Sequence, residues 1–255
     1  MSETVLYETS GKVAVIRLNR PEKLNAQTLE MTAAYFAAMK RADADDAVGA
    51  MIVTGNGRGF STGADFKDRF QRHIEEADAD ATSELPRPGQ GWMELVRGAK
   101  PIIAAVNGLA VGMGLTQILA FDYIVASSEA RFSTPFVKIG LVPEAYGTRF
   151  LIARMGWGAA HEFALSGRMI DADEALRSGL VDRVVPHEKL MDEAFAVARP
   201  IAENPLPMLR ATKRLFTQNS AESDLRQVGL RELEAIEAAR RSPEHRAAVA
   251  KFLKG

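Results

Sequence analysis

From Pro101 to Phe121 the chain reads PIIAAVNGLAVGMGLTQILAF, an uncharged run bounded by Lys100 and Asp122. A run of this length can span a membrane, so that reading is tested first. The pair Asn107-Gly108 removes it. Asn-Gly is a turn signal, and Gly112 and Gly114 weaken a single spanning helix further. The run therefore predicts an interior strand over Ile102–Val106, a turn, and a buried helix over Met113–Ala120.

A glycine-containing turn that feeds a helix directs backbone N–H groups at the positive end of the helix dipole, which suits an anionic atom. The glycines do not make a dinucleotide fingerprint, because Gln117 stands where a third glycine is needed. No Gly-Lys-Ser/Thr follows to make a phosphate loop. Taken alone, such a segment is more often packing than site.

A second strand runs into a glycine-rich turn. Val48–Thr54 predicts a buried strand, followed by Gly55-Asn56-Gly57-Arg58-Gly59-Phe60-Ser61-Thr62-Gly63-Ala64-Asp65. One such turn is ordinary loop chemistry. Two of them, each after a buried strand, can supply the two opposed N–H donors that a carbonyl oxygen gaining negative charge requires.

The rest of the chain frames these turns. Val5–Tyr7 and Val13–Leu18 predict paired strands, and Thr28–Ala42 an amphipathic helix with Leu29, Ala33, Phe36 and Met39 or Ala37 inward. The polar stretch between Phe66 and Gly91 reads as a flap or a solvated insertion. Trp92–Ala99 predicts a short helix, Asp122–Ala126 a strand, and Ala130–Phe136 an extended piece. Helices follow over Ala145–Met155, Gly158–Leu165, Ala172–Ser178 and Glu188–Asn204, with a short strand at Val181–Val185 between the last two. Beyond Pro205 only helical patterning remains, over Pro207–Asn219, Glu222–Arg240 and Pro243–Lys254. The expected division is a mixed core over 1–198 and a helical C-terminal region over 199–255.

Composition excludes several functions. The 255 residues hold 32 basic and 33 acidic side chains, a formal charge of -1, so nucleic acid is disfavoured as principal partner. No cysteine is present, which removes disulfides and thiolate nucleophiles, and the four histidines lack ligand spacing, so no metal site is expected. The start MSETVLYETS shows no secretory pattern, and the cytoplasm is the expected compartment.

The spacing of RPEKLNA, GRGFSTGAD, AAVNGLAVGMGL, RFSTPFVKIGLVPEAYGTRFL and DEALRSGLVDRVVP resembles the crotonase superfamily, the enoyl-CoA hydratases and isomerases, over about Val13–Val185. The resemblance implies an α/β fold, a spiral of ββα turns with a C-terminal helical region. It also implies trimers or pairs of trimers and an acyl-CoA thioester substrate, with no separate cofactor. On it, the amides of Ser61 and Met113 fall at the two oxyanion-donor positions. Thr62, Gly63, Ala64, Asp65 and Gly112 flank them, and Lys23, Leu24, Asn25 and Ala26 lie where the family contacts CoA. Without that context Ser61 reads as a turn hydroxyl and Lys23 as a surface cation.

A hydratase of this family carries two glutamates, at positions occupied here by Thr116 and Phe136, neither of which can move a proton at neutral pH. The remaining acid is Glu144. An acid after proline at this place is the catalytic one in the family's Δ3,Δ2-enoyl-CoA isomerases, and one carboxylate suffices to carry a proton between two carbons. Pro then Glu is also what a helix start prefers. Burial among Phe136, Leu141 and Tyr146 is expected to raise the Glu144 carboxyl. The alternatives are hydration or another thioester-enolate reaction, and a non-catalytic acyl-CoA-binding protein.

Overall fold

The computed structural model describes residues 4–68 and 91–253. The strands are β1 (Val5–Ser10), β2 (Val13–Leu18), β3 (Ala50–Gly55), β4 (Gly59–Ser61), β5 (Ile102–Val106), β6 (Leu109–Val111), β7 (Tyr123–Ser127), β8 (Arg131–Ser133), β9 (Ile170–Asp171) and β10 (Arg183–Val185). They form two sheets, in the orders β1-β2-β3-β5-β7-β10 and β4-β6-β8-β9. From β3 onward, three successive turns of chain each give one strand to the first sheet and the next to the second, so β3-β5-β7 and β4-β6-β8 run as parallel stacks. This is the expected spiral.

The helices are α1 (Leu29–Ala44), α2 (Trp92–Gly98), α3 (Met113–Thr116), α4 (Gly147–Met155), α5 (Trp157–Ser166), α6 (Ala172–Arg177), α7 (Leu190–Ala202), α8 (Leu206–Asn219), α9 (Leu225–Arg241) and α10 (Pro243–Phe252). The larger core lies between the sheets and α1 and α2, where Met31, Tyr35 and Met39 meet Ile16, Met51, Ile102 and Trp92. Each large apolar side chain buried there contributes about 1.5–3 kcal/mol. On the other face, α7 presents Ala194, Ala198 and Ala202 to Val15, Ile52 and Ile103. Alanines at i, i+4 and i+8 let the helix lie close to the strands. Gly49 confirms how close: a Cβ there would sit 2.4 Å from the Ala202 carbonyl oxygen. α7 is continuous across the expected boundary at 198/199.

Two expectations are corrected. α1 turns a different stripe inward, Met31, Tyr35, Ala38, Met39 and Ala42, while Leu29, Ala33 and Ala37 are exposed. Its alanines occur all round the helix, so the pattern marks no unique face. The phase is set by the Thr28 side chain capping the Met31 amide and by the Tyr35 and Phe36 rings against Trp92. The buried helix after Gly112 is one turn long, Met113–Thr116. Residues 117–120 continue as turns whose Ile118, Leu119 and Ala120 remain buried.

Asn107-Gly108 bends the chain at the end of β5. It carries the chain from one sheet to the other, adding β6, a strand the sequence reading lacked. The Asn107 side chain accepts from the Gly55 amide at 3.1 Å and donates to the Gly57 carbonyl at 2.7 Å, clamping the preceding glycine turn. Gly108 is glycine because a Cβ would meet the Arg58 carbonyl oxygen at 2.1 Å. The flap expected between 66 and 91 lies, over 69–90, outside the described residues. Among the described residues no helix is long and apolar enough to cross a membrane.

Candidate active site

The two glycine-rich turns come together at the ends of β4 and β6. Parallel pairing sets Ser61 against Ala110, two residues before Gly112. Gly63, at φ +88, places its α-carbon so that a Cβ would lie 3.0 Å from the Met113 nitrogen and 2.9 Å from the Val111 carbonyl oxygen. A Cβ on Gly114 would fall 2.2 Å from the Ser61 carbonyl oxygen. Only glycine fits at either place. The segments carrying Ser61 and Met113 are thus in backbone contact on one side of the molecule.

The Ser61 side chain is engaged inside this contact. Its hydroxyl donates to the Asn25 carbonyl at 2.9 Å and accepts from the Gln27 side chain at 3.3 Å and from the Gly63 amide at 3.2 Å. Ser61 therefore acts on the loop as a turn hydroxyl, and only its main chain can serve a ligand.

Residues 23–26 form the neighbouring wall. Leu24 and Asn25 both adopt the left-handed conformation, at φ 50 and 55. The Leu24 carbonyl accepts from the Thr62 amide at 3.1 Å, and Gln27 and Ala64 form a parallel bridge. Asn25 is fully buried: its Oδ1 accepts from the Arg20 amide at 2.7 Å, and its Nδ2 donates to the carbonyls of Asn56 and Gly59 at 3.0 and 2.8 Å. Its side chain shapes the wall from within and offers nothing to a ligand. Lys23 is exposed, and Ala26 is half-buried with its carbonyl accepting from Arg20 at 2.6 Å.

Arg20 also pairs with Asp65 at 3.0 Å. Burial pushes the Asp65 carboxyl up, but the Arg20 hydrogen bond and charge, with the amides of Asp68 and Lys67, hold it below its ordinary value. Asp65 is a strut joining two loops.

Glu144 enters from the other side. Helix α4 begins at Gly147 rather than at Ala145, because Ala145 and Tyr146 take left-handed conformations at φ 53 and 60. Non-glycine residues pay about 1 kcal/mol or more for this, and such pairs gather where a turn must be aimed. Glu144 is half-buried, and its carbonyl accepts from the Gly147 amide at 2.9 Å. The missing Cβ of Gly147 would lie 2.7 Å from Thr116 Cγ2, so this turn packs on the helix that Met113 opens. Of the three residues expected to bury Glu144, only Phe136 is buried; Leu141 and Tyr146 are 40% and 49% exposed. Tyr146 belongs to the left-handed pair ahead of α4. The Phe136 ring instead approaches Gly112, 3.9 Å from where its Cβ would be.

Two contacts at the site are not read from the sequence. Gln27 ties the 24–27 loop to the 61–65 turn, and Thr116 meets the Glu144 turn. Asn-Ala-Gln gives no motif, and Thr116 reads from the sequence only as the residue at a hydratase acid position, not as a neighbour of the Glu144 turn. Among the described residues no group of three or more acidic or histidine side chains could hold a metal ion.

Residues 8–253 match the family model described as enoyl-CoA hydratase/isomerase. A probable enoyl-CoA hydratase from Rhizobium meliloti is 38% identical over 217 residues, covering 85% of this chain and 82% of that protein. The 1,2-epoxyphenylacetyl-CoA isomerase of Escherichia coli is 35% identical over 262 residues, covering 99% and 96%. Among solved structures, enoyl-CoA hydratase from Bacillus anthracis superposes with a TM-score of 0.88 at 27% identity, covering 99% of this chain and 96% of that one. The facing glycine turns, the two-sheet spiral and these matches lead to one conclusion: the chain belongs to the enoyl-CoA hydratase/isomerase family of the crotonase superfamily.

Proposed function

We propose that the protein isomerises Δ3-enoyl-CoA to Δ2-enoyl-CoA, with Glu144 carrying a proton from the second acyl carbon to the fourth. The amides of Ser61 and Met113 hold the thioester oxygen as it gains charge, each contributing roughly 10²–10³ in rate. The observation that carries this reading is the backbone contact between the Gly63 and Met113 segments, with the Glu144 turn packed against Thr116 on the same short helix. Removing the proton leaves its electron pair delocalised over the enolate. Return of the same proton at the fourth carbon shifts the double bond, so atoms balance without water.

Lys23, Leu24, Asn25 and Ala26 bound the CoA side through main chain and the Lys23 charge. Thr62, Gly63, Ala64, Asp65 and Gly112 shape the oxyanion pocket, and Phe136 and Tyr146 border the acyl group. Assembly as a trimer or a pair of trimers, in the cytoplasm, belongs to the same reading, with 199–255 as the assembly region. From 206 to 241 Lys213 is the only buried residue, while Phe216 and Leu225 are 70% and 80% exposed.

Hydration is the second reading, favoured by hydratase names among the relatives and opposed by Thr116 and Phe136 at the hydratase acid positions. The deciding experiment is turnover of 3-enoyl-CoA and 2-enoyl-CoA by the wild type and Glu144→Gln. Loss of 3-enoyl conversion with retained acyl-CoA binding supports isomerisation. Unchanged turnover in Glu144→Gln rejects it, and ordinary-rate formation of 3-hydroxyacyl-CoA favours hydration.

A further inference from the structure

We propose that Gln27 is a positioning residue for the thioester reaction: its buried carboxamide holds the Ser61 hydroxyl and so aims the Ser61 amide at the carbonyl oxygen. The inference rests on the reading of Ser61 and Met113 as the oxyanion donors and adds to it a residue that acts through the loop behind them.

Gln27 is fully buried and meets the 61–65 turn at three alternate residues. Its amide donates to the Gly63 carbonyl at 2.7 Å, its carbonyl accepts from the Asp65 amide at 3.0 Å, and its Nε2 donates to Ser61 Oγ at 3.3 Å. The two main-chain bonds can form with any residue at 27 except, for the first, proline; the third is specific to this side chain. The Ser61 hydrogen goes to the Asn25 carbonyl at 2.9 Å, the shorter contact, so Oγ can only accept from the carboxamide and Nε2 must be the atom that faces it. With the Gly63 amide donating at 3.2 Å, Oγ makes one donated and two accepted bonds, its full complement. A hydroxyl held at three points fixes the Ser61 rotamer, and with it the orientation of the main chain that carries the donor.

Stability alone does not favour glutamine at this place. Its Oε1 is buried and accepts from no group among the described residues, and a bare buried carbonyl is destabilising, whereas an apolar side chain of the same length carries no such penalty. What glutamine supplies and an apolar residue cannot is the bond to Ser61 Oγ. Sites that need a donor held in one direction are built on supporting contacts of this kind, at some cost in stability.

The test compares the wild type, Gln27→Met, Ser61→Ala and the double variant as full chains. Gln27→Met keeps the length of the side chain and removes the donor. Three quantities are measured: turnover of 3-enoyl-CoA or 2-enoyl-CoA, according to which the wild type converts; the melting temperature; and the absorbance of bound hexa-2,4-dienoyl-CoA, a conjugated thioester whose band moves to longer wavelength when donors polarise its carbonyl. Gln27→Met should lower kcat about tenfold and leave KM within about twofold, since a misdirected donor is felt in the transition state more than in binding. The band shift should shrink with kcat, and the melting temperature should equal or exceed that of the wild type, because the bare Oε1 is gone. In the Ser61→Ala background Gln27→Met should change kcat no further, because the hydroxyl through which it acts is absent. An unchanged kcat or band shift in Gln27→Met, a fall in kcat matched by a lower melting temperature, or additive losses in the double variant overturns the inference while the oxyanion reading stands. Neither turnover nor a band shift in the wild type overturns both.

Discussion

The α-carbon of Gly114 faces the Ser61 carbonyl so closely that a methyl group there would sit 2.2 Å from the oxygen. This contact sets the spacing between the two candidate donor segments. Gly114→Ala must push them apart, at a cost of about 1–3 kcal/mol for the overpacked backbone. Thermal denaturation should show the loss, and enoyl-CoA turnover should fall by about 10²-fold or more if donor spacing governs the rate. A variant with wild-type melting and turnover would mean that this spacing does not matter.

Asn25 is a wall residue whose side chain faces inward, so its replacement should be read in stability. Asn25→Ala removes one accepted and two donated bonds and leaves alanine at φ 55. The expected cost is on the order of 3 kcal/mol, measured as a shift in the urea midpoint. A cost below about 0.5 kcal/mol would show that the loop holds its shape without these bonds.

The Arg20–Asp65 strut makes a pH-dependent prediction. The folded protein holds the Asp65 carboxyl below its ordinary 3.8, so the pair's stabilisation is complete above that pH and lost as pH falls through the lowered folded value. Asp65→Asn should therefore be less stable than wild type by about 1–2 kcal/mol at pH 7, with the gap closing below pH ~3.8. A gap constant with pH would assign the effect to packing instead of charge.

The C-terminal helices enclose an apolar groove of about 670 Å³, lined by Met208, Leu215, Phe216, Ala235 and Ile236. Assembly through this region predicts that Phe216→Asp lowers the mass measured by sedimentation to that of the single chain, with little change in the circular dichroism of the core. An unchanged mass would place the assembly contact elsewhere.

Much of this was legible in the sequence because it was written in local signals. Val13–Leu18 reads as a strand from its apolar run and is one over the same residues. Local composition marks the two glycine turns after buried strands, and only the family resemblance points within them to Ser61 and Met113. The misreadings share a cause, which is tertiary contact overriding local pattern. Asn107-Gly108 reads as a turn leading straight to a helix, yet β6 intervenes and the Asn107 side chain is spent on the Gly55–Gly59 turn far away in sequence. Pro143-Glu144 has the composition of a helix start, yet Ala145 and Tyr146 hold the chain left-handed before α4 begins. The inward face of Asn25 could not be read at all, since its partners come from Arg20, Asn56 and Gly59.

The spiral has one consequence for how such a protein can diverge. β4 and β5 lie far apart in sequence, yet β5 pairs directly with β3. Layer spacing is fixed by the β3–β5 and β4–β6 pairings, so the distance between the facing loops does not depend on the length of sequence that joins β4 to β5. Insertions and deletions between those strands can accumulate while the two glycine turns stay face to face.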